Sequence, residues 1–371
     1  MRPGNNGLLL LCALPFAAGA QVSAPAEAPV LDACVAIEIA AERLACYDRV
    51  AQRVAPTPEE ADAAAAQAQA VVESDAPAAA AATSSDVFPH DGDPRRALAN
   101  AGRGSLLDSR WELAADSKLG TFNMRAYKPV YLLPAFWSSN PNNRPTSSTD
   151  GTPLDTPGVD AIEAKFQISF KTKAVENLFG DNGDIWMGYT QSSRWQVYDT
   201  DNSRPFRETN YEPEVLLVFR NNYSLGGWKG RMAAVGINHQ SNGRGDPLSR
   251  SWNRLMFNVG LDREDWAVTF RPWIRLSDGS DDDNPGIEDY LGRGDVTVVH
   301  TRGDQVFSLM GRHSLRGGDR SRGAVQFDWG FPISSNLRGH MQVFSGYGES
   351  MLDYDHKATY VGMGISVLDW F

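Results

Sequence analysis

The chain has 371 residues, 42% of them hydrophobic, a proportion that neither excludes a soluble protein nor demands a membrane one. Asp and Glu outnumber Lys and Arg by 46 to 35, and the resulting charge of -11 argues against a nucleic-acid partner, which selects for a basic face. Beyond the first twenty residues no apolar run reaches the roughly 18 residues of a membrane-spanning helix, so any membrane crossing here has to be made by strands.

At the N-terminus, Arg2 precedes an apolar run from Leu8 to Ala18, and Ala18-Gly19-Ala20 offers the small-x-small pattern of a cleavage site. Residues 1–20 therefore read as a signal peptide, and the mature chain is exported. Cys12 leaves with that peptide, so Cys34 and Cys46 remain as an even pair in an oxidising compartment. One unbroken helix over "CVAIEIAAERLAC" would hold their Cα atoms roughly 18 Å apart at about 1.5 Å per residue, past the ~7 Å limit for a bridge. A disulfide thus requires a break between two short helices; two free thiols are the alternative. Residues 21–53 read as a small helical, Cys-containing periplasmic segment. Residues 54–105, with "AAAA" at 63–66 and "AAAAA" at 78–82, cannot build a core and read as a disordered Ala/Pro-rich linker. Composition suggests an anchoring or interaction role for residues 21–105, and nothing more specific.

From residue 106 onward the texture changes, and beyond Thr121 segments of alternating polarity are separated by Gly, Asn, Asp and Pro clusters. In 210–220, Tyr211, Val215, Leu217 and Phe219 alternate with Asn210, Glu212, Glu214 and Arg220. In 228–241, Ala233, Val235 and Ile237 alternate with Ala234, Gly236 and Asn238, and 252–262 and the closing segment through Ile365 and Phe371 follow the same rule. An apolar face of this kind could be the core of a soluble sandwich. The length of the strands, the charges and glycines on the opposite face, and the aromatic end "SVLDWF" favour a polar interior and a lipid-facing exterior. Twelve such segments begin near 127, 160, 184, 209, 227, 250, 264, 289, 304, 321, 336 and 357. The predicted fold is all-β: a twelve-stranded antiparallel transmembrane β-barrel over 106–371, closed because hydrocarbon tolerates no strand edge.

Within "GINHQSNGR" (236–244), His239 and Ser241 share the apolar parity. A hairpin centred on Asp246 sets His239 opposite Asn253, where Cβ atoms stand about 5 Å apart. Ser-His-Asn is a workable hydrolase set: His239 takes the Ser241 proton and Asn253 holds the imidazole tautomer. A neutral orienting group suits a site that borders hydrocarbon, and a site on the outer wall meets only substrates that are themselves in the membrane. The bland reading of the same residues is a polar strand end at a barrel rim.

"GINHQSNGRGDPLSRSWNRL", with "RPFRETNYEPE", "DDNPGIEDYLG" and "FSGYGESMLDYD", resembles bacterial outer-membrane phospholipase A over residues 106–371. The resemblance implies an enzyme of the Gram-negative outer membrane that hydrolyses phospholipid acyl esters at both glycerol positions, and lysophospholipids, with one Ca2+ per active site, active as a homodimer and inactive as a monomer. It implies Ser241 as nucleophile, His239 as general base, Asn253 as its orienting partner and the Gly243 N–H as oxyanion donor. The calcium ligands it implies are the Arg244 carbonyl, Ser249, Ser203 from the other subunit, and Asp283, with Asp282 competing because of one extra residue before "DDDNP". Gln191 matches an interface glutamine. A lipopolysaccharide deacylase and a passive channel are the competing functions. The short family members lack residues 21–105, so the resemblance implies nothing about them.

Overall fold

The computed structural model describes residues 34–37, 40–51, 102–156, 158–277, 282–334, 337–368 and 370. The expected signal peptide and nearly all of the expected linker lie outside the described residues. Two units are present, 1–85 and 86–371. In the first, helix α1 (Ala40–Val50) follows a separate helical turn at Cys34–Val35, and Cys34 and Cys46 form a disulfide with Cα atoms 5.5 Å apart. The break that the spacing demanded lies after that turn, where the Arg43 guanidinium donates to the Ile37 carbonyl at 2.9 Å.

The second unit is built from strands. A two-residue strand β1 (Arg125–Ala126) pairs with Lys171 and Phe170. It is followed by β2 (Val130–Ser138), β3 (Ile162–Val175), β4 (Asp184–Trp195), β5 (Phe206–Leu225), β6 (Trp228–Ser241) and β7 (Ser251–Arg263). The ring is completed by β8 (Trp266–Leu276), β9 (Gly294–Arg302), β10 (Gln305–His313), β11 (Gly323–Ser334), β12 (Leu337–Tyr347) and β13 (Lys357–Leu368). Each of β2 to β13 pairs antiparallel with its chain neighbours, and β13 returns to β2 through pairs such as Val361↔Trp137. The twelve-stranded barrel is therefore closed. The strand furthest from expectation is β9, which starts at Gly294 because Ile287–Asp289 forms a 3-10 turn instead.

Parity separates wall from lumen as the alternation predicted. Val215, Ile237, Phe257, Ile274, Leu309 and Met363 are exposed, while Glu214, Asn238, Arg254, Asp328 and Gln342 are buried. Ile237 is 58% exposed and its neighbour Asn238 0%, an inversion of soluble-protein burial that only an apolar solvent favours. One end of the barrel carries short turns. At the β5–β6 turn both central residues, Gly226 and Gly227, take positive φ (57° and 83°), the backbone that a two-residue hairpin needs and that glycine adopts without a Cβ clash. The other end carries the long loops.

The lumen is polar, as expected, over only part of its length. Towards the short turns it is apolar, filled by helix α2 (Leu106–Trp111), whose first turn is capped by the Ser105 hydroxyl accepting from the Asp108 N–H at 3.1 Å. Leu107, Trp111 and Leu113 pack there with Tyr127, Trp186, Leu216, Val218, Met232 and Ala267. Alternation alone cannot see a helix that supplies the other side of a core. The Lys171 ammonium lies over the Trp111 ring, 3.2 Å from its centroid. Towards the long loops the lumen is ionic: Glu349 accepts from Lys165 at 2.6 Å and from Arg194 at 2.8 Å, and Arg254 pairs with Glu212 at 3.2 Å.

Candidate active site

The β6–β7 hairpin positions the site. Its register pairs His239 with Asn253 and Ser241 with Ser251, the alignment expected from the hairpin centre. Across the hydrogen-bond ladder Ser241 pairs with Tyr211 on β5, and Tyr211 with Gln191 on β4, so Gln191, Tyr211 and Ser241 form one outward row at a single level of the wall. His239 and Ser241 share a face, separated by roughly 7 Å of strand rise.

His239 Nδ1 and Asn253 Oδ1 are 2.9 Å apart. A carboxamide oxygen only accepts, so Nδ1 carries the proton and the Nε2 lone pair is left to receive another. Among the described residues no hydrogen bond joins Ser241 to His239; such bonds commonly tighten only when substrate is bound.

Past Ser241 the chain makes a tight loop organised by Asn242. Its Oδ1 accepts from the N–H groups of Arg244 at 3.2 Å and Arg250 at 2.9 Å, and its Nδ2 donates to the Leu248 carbonyl at 2.8 Å. Its own N–H donates to the Arg250 carbonyl at 3.0 Å. One buried side chain thus ties both ends of the loop together. Between them Gly243 takes φ +64°, and a Cβ at that position would come within 2.9 Å of the Tyr211 ring, so both backbone and space require glycine. Sequence reasoning overlooked Asn242; the signal available was an amide followed directly by glycine after the serine.

The residues implied as calcium ligands are partly brought together. Ser249 Oγ donates to the Asp283 carboxylate at 2.7 Å, whereas Asp282 is turned away, ion-paired with Arg275 and accepting the Asn284 N–H at 3.0 Å. The buried Asn284 accepts the Ser251 N–H at 2.8 Å and so pins the acidic loop to β7. Ser203 lies in the β4–β5 loop with φ 61°, outside these contacts. No cluster of three or more His, Cys, Asp or Glu occurs among the described residues. The donors at hand are a hydroxyl, a carboxylate and a backbone carbonyl, hard oxygens of the kind calcium takes. Gln191 Oε1 accepts from the Tyr189 hydroxyl at 3.1 Å, which leaves a polar stripe on an otherwise apolar wall.

A strap from the β2–β3 loop holds the far side of the site: Ser148 Oγ donates to the Asp246 carboxylate at 2.8 Å, its N–H to the Pro247 carbonyl at 2.8 Å, and Arg250 donates to the Thr146 carbonyl. Beneath, Arg207 is held by Glu163 and by Asp353 at 2.8 Å. Burial alone would raise the Asp353 carboxyl, but the Arg207 guanidinium beside it outweighs burial and holds it at about 2.

Fold and site together define a transmembrane β-barrel that carries a polar set of side chains, with His239 hydrogen-bonded to Asn253, on its outer wall at the long-loop end. The chain belongs to the Phospholipase A1 family, whose model matches residues 107–367. It is 35% identical to a putative phospholipase A1 of Neisseria meningitidis serogroup B, over 91% of this chain and 90% of that protein. It is 40% identical to the phospholipase A1 of Escherichia coli, over 56% of this chain and 71% of that one. Among solved structures it resembles outer membrane phospholipase A from Escherichia coli, with TM-score 0.60 and 35% identity over 67% of this chain and 95% of that chain. A Salmonella typhi outer membrane phospholipase, solved as a dimer with bound calcium, matches with TM-score 0.60 and 35% identity over 67% and 94%. The Neisseria alignment covers more of this chain than the barrel alone supplies, so it extends into the segment that precedes residue 106.

Proposed function

We propose that the protein hydrolyses the acyl esters of phospholipids at both glycerol positions, and of lysophospholipids, from the outer membrane, and that it does so with Ca2+ as a homodimer. The observation that carries this reading is the 2.9 Å hydrogen bond between His239 and Asn253 on the lipid-facing wall, in line with Ser241. His239 Nε2 takes the Ser241 proton as Oγ attacks the ester carbonyl; the Gly243 N–H donates to the oxyanion; His239 then returns the proton to the departing alcohol. Water, activated by the same imidazole, releases the fatty acid. The Arg244 carbonyl, Ser249 and Asp283, with Ser203 of the partner subunit, would hold the calcium, which would supply positive charge near the oxyanion. The stripe of Tyr189 and Gln191 supports a partner on this wall, since a polar side chain facing lipid is costly without one.

The apolar plug and the ionic lumen disfavour a passive channel. The test is release of fatty acid from detergent-dispersed phospholipid with and without chelator, using Ser241→Ala as control. Calcium-dependent release that Ser241→Ala abolishes supports the proposal. Survival of activity in Ser241→Ala refutes the nucleophile, full activity of a chelated monomer refutes the dimer reading, and, in a parallel assay on lipid A, release from lipid A with none from phospholipid identifies a lipopolysaccharide deacylase.

A further inference from the structure

We propose that the Arg244 side chain, in addition to its carbonyl, is the subsite that binds the phosphodiester of the lipid substrate, inside a cavity at the long-loop end; this rests on the phospholipase reading above. The cavity has a volume of about 360 Å³ and lies between four loops: Asn142 and Pro145 from the β2–β3 loop, Asn202 from the β4–β5 loop, Arg244 and Leu248 from the loop after Ser241, and Leu352 from the β12–β13 loop.

Direction comes from the wall. Strand β6 runs from the short Gly226–Gly227 turn up to Ser241, and the wall below the serine is apolar through Ile237 and Val215. Acyl chains belong on that side, so the polar remainder of a lipid whose ester sits at Ser241 extends the other way, towards the cavity. Arg244 is three residues past the nucleophile, within roughly 10 Å along the chain. The phosphorus of a glycerophospholipid is only a few bonds from either acyl ester.

Charge identifies which side chain meets it. Two arginines line the cavity, Arg207 and Arg244. Arg207 is committed: Nε and Nη2 donate to Glu163 at 2.9 and 2.8 Å, and Nη1 donates to Asp353 at 2.8 Å. Arg244 stands differently. Its side chain is 35% exposed, and its one ion pair among the described residues is Nε to Glu208 Oε2 at 4.0 Å, too long for a hydrogen bond. Its donors are therefore available, and the planar fork of a guanidinium matches two oxygens of a phosphodiester. The buried Glu208 accepts instead from Asn210 Nδ2 at 2.7 Å and from the Leu352 N–H at 3.0 Å. The volume exceeds what a phosphate fills, which leaves room for the headgroup alcohol.

The experiment compares two substrates in one dispersion at saturating Ca2+: a diacyl phosphatidylglycerol, and a diacylglycerol of the same chains that lacks the phosphate. The quantity read is the ratio of their kcat/KM values. In Arg244→Gln the ratio falls about tenfold, the size of one charge-assisted pair, with the change carried mainly by KM for the phospholipid. Arg244→Lys restores part of it. Equal losses on both substrates would show that Arg244 acts only through the calcium loop, and an unchanged ratio in a folded variant would exclude the subsite; either result overturns the proposal. Inhibition by inorganic phosphate that Arg244→Gln leaves unaltered would assign the anion to another group and overturn it as well. Residual hydrolysis in Ser241→Ala bears instead on the nucleophile, so the two readings fail separately.

Discussion

The two ends of the barrel are closed by different means. At the short-turn end, α2 and the residues just after it seal the lumen with buried apolar contacts from Leu107, Trp111 and Leu113, which are close-packed and non-directional. At the long-loop end, closure is polar: Ser148 on Asp246, Arg207 between Glu163 and Asp353, and Asn242 across its own loop. The first suits a permanent plug. The second suits the lipid and cation site proposed here, because directional bonds can be exchanged for bonds to ligands at little net cost.

That contrast can be broken by substitution. The largest effect is expected for Ser241→Ala, a fall in hydrolysis of at least about 10³-fold with the barrel intact by circular dichroism, because it removes the hydroxyl proposed as nucleophile. Next is Trp111→Ala, expected to cost about 3–5 kcal/mol of stability in denaturant titrations while the folded fraction keeps its specific activity. Loss of catalysis in folded Trp111→Ala would mean that the two ends are coupled after all. For Asn242→Ala, two N–H groups and a carbonyl lose their partner at about 1–3 kcal/mol for a group left unsatisfied, so activity should drop about 10- to 100-fold with a raised half-saturating Ca2+. An unchanged calcium titration would reduce Asn242 to a structural role. The smallest effect concerns acid. Asp353 has a depressed carboxyl, so its contribution to stability is present above the unfolded value of about 4 and is lost as pH falls towards 2. Hydrogen exchange of the 348–356 loop should therefore rise over that window before the short-turn end responds.

Much of the site was legible because strands make register arithmetic simple. Period-two alternation assigned the wall, and one hairpin centre sufficed to place His239 across from Asn253. What stayed hidden involves groups whose partners are remote in sequence. Asn242 reads as an ordinary turn amide until both ends of its loop are in place. Asp282 and Asp283 are adjacent and chemically alike, and only the position of Arg275 and Ser249 separates them.

The sequence by itself determined the number of strands, the face that each turns to lipid, and the level of the wall at which His239 faces Asn253 with Ser241 on the same side, because each follows from spacing along one or two neighbouring strands. The tertiary structure alone decided that α2 fills one half of the lumen, that ion pairs fill the other, and that four separate loops border the cavity beside Arg244. Those arrangements depend on closure of the ring, which brings together residues that no local pattern relates.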